Sequence, residues 1–270
     1  GHMALAWLFD RLGADAGISV RLASLLAGAG MVFGTFVLGR RLFGDAAGIV
    51  AALLAASHPL TAYSALSGES YSIEALGAVA LILVGLRVTR DSGPLTLTLF
   101  FGLYGLLGGV RQSLPLYFFP FALWRLIEFC RGRKPFVRPA WFAAAAGTAI
   151  AGIAVWAIPL SLLAGGHKTL SGSFVNQFFS VFGRAYSPLM GAGLPAVLSN
   201  LDGLWRFALS ALSVSGILTA VLWPFARGRA SRSTSDILLF ACWFIPPLAW
   251  FVLMYVYKPE HLLLWVPAFS

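Results

Sequence analysis

Charge is what this chain is shortest of. Only 11% of its 270 residues are Asp, Glu, Lys or Arg, against about 25% in an ordinary soluble domain. Acidic groups are the scarcer kind, ten against 19 basic ones. Cysteine is nearly missing as well: Cys130 and Cys242 are the only two. Each falls near the basic-flanked end of a predicted helix, so a disulfide framework is not expected. The four histidines, His2, His58, His167 and His261, show no His-x-x-x-His spacing, so nothing points to a metal centre. Walker, dinucleotide-binding, Gly-x-Ser-x-Gly and kinase motifs are all lacking, and no cofactor is expected. No cleavable signal peptide is visible.

What is there is grease. Hydrophobic residues make up 59% of the chain, in repeated continuous runs near membrane-spanning length, without the alternation of a barrel strand. In lipid the backbone must satisfy its own hydrogen bonds. The fold class is therefore all-α: a polytopic transmembrane helical protein, one transmembrane domain over residues 1–270. Eight spans are predicted, at 22–39, 46–63, 71–86, 94–110, 114–129, 139–164, 204–225 and 236–257. Residues 1–18, with Asp10 and Arg11 among apolar neighbours, read as an interfacial helix. Residues 165–199 form a long loop in which Phe174, Phe178, Phe179 and Phe182 recur at helical steps, an amphipathic helix suited to the bilayer surface. No clear internal repeat is seen, and Pro246-Pro247 are a candidate break in the eighth span. The run from Leu262 is too short to span and reads as cut off. Gly1-His2-Met3 is open between a cloning remnant and native sequence.

A net charge of +9 would suggest nucleic acid in a soluble protein. Here it is a topology signal, and no nucleic acid is expected as a partner. One set of loops holds Arg40, Arg41, Arg87, Arg90, Arg125, Arg131, Arg133, Lys134, Arg138, Arg227, Arg229 and Arg232. Those are twelve of the 19 basic residues, with only four of the ten acidic ones. The other side holds seven basic against six acidic. The basic-rich side is cytoplasmic, so the amino end starts outside, and a preceding helix is predicted.

The outer side then gathers an unusual polar set. In "SHPLTAYSALSGESYSIEAL", Glu69, Tyr71 and Glu74 lie at or just inside a turn between two apolar helices. An ionised group at the bilayer centre costs about 2.5–3.5 kcal/mol on insertion scales, so such residues face a cavity or a partner. Five residues apart, the two carboxylates do not share a helix face. A two-carboxylate site is therefore not implied, and no catalytic residue is assigned. Arg111 and Gln112 end the next hairpin in "GGVRQSLPLYFFP". Arg111 reads either as a fork for a ligand phosphate or as a snorkelling or interhelical ion-pair residue with Glu69 or Glu74. The glycines before it allow a ligand or another backbone to approach closely. Lys168, Lys258 and His261 complete the candidate substrate-binding set, with a solvated turn the competing reading for "YKPEHLL". Tyr71 also reads as an interface-belt residue. His58, before Pro59, reads as a hydrogen-bonded structural group.

Several ordered stretches resemble the polytopic GT-C glycosyltransferases, in particular the glycosyltransferase family 39 relatives, protein O-mannosyltransferases and bacterial lipid-phosphate-sugar transferases. They are "GISVRLASLLAGAGMVFGTFVLGRRLFGDAAGIVAALLAASHPLTAYS", with its Arg-Leu-x-Ser entry, then "GESYSIEALGAVALILVGL", "GGVRQSLPLYFFPFALW", "WAIPLSLLAGG" and "KPEHLLLWVPA". The resemblance implies an integral protein of the bacterial inner membrane, active on its extracytoplasmic face. It implies an inverting, metal-independent transfer of sugar from a polyprenyl-phosphate-linked donor to a glycan, lipid or protein acceptor, among membrane lipids. In that family a carboxylate in the first outer loop takes the acceptor proton. The corresponding acidic motif does not occur before Ala4, and the base role is not transferred to Asp10 or Asp15. A non-catalytic lipid or glycan transporter or flippase, and a structural fragment without activity, are the competing readings.

Overall fold

A computed structural model of the chain describes residues 2–131, 138–163, 172, 187, 191–222, 234–253 and 263–269. Among the described residues there is no strand. The elements are α1 (His2–Arg11), α2 (Ala16–Phe43), α3 (Asp45–Ser57), α4 (Pro59–Ser67), α5 (Tyr71–Gly85), α6 (Pro94–Leu107), α7 (Ser113–Cys130), α8 (Arg138–Leu163), α9 (Gly193–Leu222), α10 (Thr234–Leu253) and α11 (Val266–Phe269).

Local chemistry sets the ends of these helices. The Asp15 carboxylate caps α2 by accepting from the Gly17 N–H at 2.8 Å. Gly44, with φ of 98°, turns the chain from α2 into α3 in a backbone region that side chains disfavour. The second predicted span is one bent pair: α3 and α4 meet at 58°, because Pro59 cannot continue the α3 ladder. His58 caps the new start, its Nδ1 accepting from the Leu60 N–H at 3.2 Å, the structural role expected of it. Gly68, left-handed at φ 75°, closes α4 and lies against Val20 and Arg21 of α2.

α2 is the central post, packed by α1, α3, α4 and α5; α6 lies on α8 and α7 on α10. Small residues let backbones close in, as is usual where the surrounding solvent is lipid. A Cβ at Gly34 would stand 2.7 Å from Val79, and one at Gly48 2.8 Å from the Phe36 carbonyl oxygen. The core between these helices includes Met31, Leu81, Phe100, Phe118, Phe121 and Trp243. α8 exposes Ile150, Val155, Ile158 and Leu162, a surface suited to acyl chains.

Several expectations are adjusted. Among the described residues two helices, α2 and 139–163 of α8, are long and apolar enough to cross a membrane, and three if the bent pair counts as one. The predicted spans at 204–225 and 236–257 extend beyond the described residues. α5 and α6, with 15 and 14 residues, are about 22 Å long, less than the ~30 Å hydrocarbon core. α9 begins at Gly193 rather than near 204. In its first half Asp202 and Arg206 pair along an exposed face, one turn apart, at 2.8 Å. α10 remains helical through Pro246-Pro247, as helices in a bundle can when neighbours support the freed backbone groups. The terminal apolar run folds back: Leu263 to Val266 are buried, α11 meets α2 and α3, and the Trp243 indole donates to the Leu264 carbonyl at 3.1 Å. The Phe174–Phe182 helix lies outside the described residues.

Candidate functional site

The ends of the bundle divide by chemistry. At one end Arg41 of α2 reaches the Leu83 and Leu86 carbonyls at the close of α5, and Phe43 stacks on Phe240 of α10. At the other, the α4–α5 turn meets the first half of α2, and the start of α5 meets the α6–α7 turn. Glu69, Tyr71, Glu74, Arg111 and Gln112 all belong to this second end.

Three of them form one cluster. Arg111 Nη1 donates to Glu74 Oε2 at 2.7 Å. The guanidinium lies 5.4 Å from the centre of the Tyr71 ring. This is the interhelical ion pair weighed from the sequence, with Glu74 rather than Glu69 as partner. The pair is lopsided: the Glu74 side chain is 5% exposed and that of Arg111 28%. A buried carboxylate holds the arginine while part of the fork stays accessible. Burial works against the charge on Arg111, but Glu74, with Tyr117 and Tyr71, outweighs it and holds the guanidinium above its ordinary pKa. Arg111 has five N–H donors and a planar shape that matches phosphate oxygens.

The hinge that carries Arg111 is pinned from two sides. Tyr104 donates to the Pro115 carbonyl at 2.6 Å, tying α6 to the start of α7. A Cβ at Gly109 would stand 2.5 Å from the Trp156 ring, and that indole donates to the Gly105 carbonyl at 3.0 Å. The glycines of "GGVRQ" thus admit a tryptophan of α8. Gln112 is exposed beside Arg111.

Glu69 sits in the turn before α5, half-buried. Its carbonyl accepts from Ser24 Oγ at 2.9 Å, and its N–H donates to Ser67 Oγ at 3.4 Å. The turn is therefore fastened to α2 by a residue that the candidate set omits. The signal for it is the Arg-Leu-x-Ser entry itself, of which Ser24 is the serine. Tyr117, buried and electrostatically coupled to Glu74 and Arg111, is a second omission. Below this rim the buried hydroxyls of Thr61, Ser64 and Ser72 have no hydrogen-bond partner among the described residues. Lys168, Lys258 and His261 lie outside the described residues. Among the described residues no three His, Cys, Asp or Glu side chains gather to hold a metal.

The sequence model of the dolichyl-phosphate-mannose-protein mannosyltransferase family matches residues 1–158. That stretch runs from α1 into α8 and includes the whole Glu69–Gln112 region. No curated protein and no solved structure matches the chain. With more than half of its length matched, this all-helical chain belongs to the dolichyl-phosphate-mannose-protein mannosyltransferase family, which are membrane glycosyltransferases of the GT-C type.

Proposed function

We propose that the chain transfers a sugar from a polyprenyl-phosphate-linked donor to an acceptor hydroxyl at the extracytoplasmic face, at the end of the bundle that carries Arg111. The acceptor oxygen attacks the anomeric carbon while the carbon–oxygen bond to the lipid phosphate breaks. The hydroxyl proton passes to a carboxylate, and polyprenyl phosphate leaves with the bonding pair. Arg111, with Lys168 or Lys258, holds that phosphate and stabilises its growing charge. Glu69 holds an acceptor or sugar hydroxyl. Tyr71 and Glu74 orient Arg111, and Gln112 and His261 supply hydrogen bonds at the rim. The base is left unassigned.

The single observation behind this reading is the partly exposed Arg111 fork, held by a buried Glu74 at 2.7 Å, in a chain of this family. The test compares two folded variants: Glu74→Gln, which keeps the arginine, and Glu74→Gln/Arg111→Ala, which leaves neither charge. The probe is a polyprenyl phosphate binding to the purified protein. Loss of a charged hydrogen bond weakens binding by about tenfold to a hundredfold in the double variant. Equal affinity in the two would remove Arg111 from the donor site.

A further inference from the structure

We propose that Arg41, Arg87 and Arg125, gathered at the C-terminal end of α5, form a binding site for the phosphate of an anionic phospholipid. This site lies at the opposite end of the bundle from the Arg111 cluster and is independent of the transfer reaction.

Two of the three arginines converge on one stretch of backbone. Arg41 donates to the Leu83 and Leu86 carbonyls at 3.3 and 2.9 Å. Arg125 of α7 donates to the Gly85 carbonyl at 2.9 Å and to that of Val88. Arg87 follows directly in the chain, and its charge acts on Arg41, as that of Arg41 acts on Arg125. Like charges are thus held within electrostatic reach of each other.

What offsets them inside the protein is insufficient. The end of α5 supplies about half a negative elementary charge. Glu128 acts on Arg125, but it is already engaged by Arg131. The contrast with neighbouring arginines is sharp. Arg40 pairs with Asp45 at 2.6 Å, Arg90 with Asp91 at 3.8 Å, and Arg131 with Glu128. Arg41, Arg87 and Arg125 have no carboxylate within ion-pair distance among the described residues. A topology signal alone does not require three arginines to share one helix end.

The surroundings select a lipid over a soluble anion. Arg125 is buried, while Leu123 and Ile127 on the same helix and Phe43 at the end of α2 are exposed. Apolar surface for acyl chains therefore lies on the outward faces of the two helices that carry Arg41 and Arg125. Basic pockets between transmembrane helices bind anionic headgroups in this manner.

The experiment titrates phosphatidylglycerol into the delipidated, detergent-purified protein and reads affinity from the lipid-dependent rise in melting temperature. Removing one arginine weakens binding about fivefold, and Arg41→Gln/Arg87→Gln weakens it about 25-fold. Arg90→Gln, whose charge is already paired, leaves it unchanged. Arg87→Gln alone keeps the test decisive if removal of Arg41 disturbs folding. Equal weakening by Arg90→Gln and Arg87→Gln would reduce the site to diffuse surface charge and overturn the proposal. So would full affinity in the Arg87→Gln protein, an equal response to phosphatidylcholine, or an equal response to inorganic phosphate.

Discussion

At the scale of single residues, the decisive pair is Glu74 with Arg111. Glu74 is in the first turn of α5, and its side chain is buried. Removing one partner of a buried pair leaves an uncompensated charge and costs about 3–5 kcal/mol, whereas removing both charges costs far less. Arg111→Ala therefore lowers the melting temperature of the purified protein well below that of wild type, and Glu74→Gln/Arg111→Ala recovers most of the loss. A double variant as unstable as the single one would mean that Glu74 is satisfied by groups other than Arg111. The sequence shows that an arginine and two glutamates share one side of the membrane. It does not show which glutamate is the partner. The turn at Glu69 and the helical place of Glu74 are legible, but the partner depends on how α5 is rotated against the α6–α7 turn, which hydropathy does not resolve.

At the scale of elements, the seam between α6 and α8 is made by glycine. A Cβ on Gly105 would overlap the Ala149 carbonyl oxygen, and one on Gly152 would overlap that of Gly102. Gly102 and Gly147 have nothing within 4 Å of such an atom. Gly105→Ala must push the helices apart and forfeit the indole bond from Trp156, an overpacking cost of about 1–3 kcal/mol. Gly147→Ala has open space and gains up to about 1 kcal/mol from helix propensity. Thermal unfolding of the two variants in one detergent distinguishes them, and equal melting temperatures would mean that the seam carries no stability. Because α6 also carries the hinge to Arg111, Gly105→Ala shifts the candidate site as well. Apolar runs are enough to find α6 and α8 from the sequence. Their partnership is not legible, because glycine also marks loops and turns, and only a neighbour's position gives it a meaning. The continuity of α10 through Pro246-Pro247 escapes the sequence for the same reason: proline breaks a helix by default, and tertiary support overrides it.

At the scale of the whole molecule, orientation is the expectation on which the donor site depends, and it rests on the count of basic residues. The structure separates two polar groups along the bundle. Arg41, Arg87 and Arg125 meet at one end of the bundle, and Glu69, Tyr71, Glu74 and Arg111 at the other. α6 connects the two ends, with Asp91 exposed just before it and Gln112 exposed just after. Cys130 and Cys242 are buried, which leaves an introduced cysteine as the accessible thiol among the described residues. An impermeant maleimide added to intact cells is expected to label Gln112→Cys and to reach Asp91→Cys only after lysis. The reverse pattern would place Arg111 in the cytoplasm. Labelling of both in intact cells would mean that α6, at 14 residues, does not cross the bilayer. Either result removes the outer-face donor site, while the Glu74–Arg111 ion pair and the α6–α8 seam would stand unchanged, since both rest on contacts within the bundle.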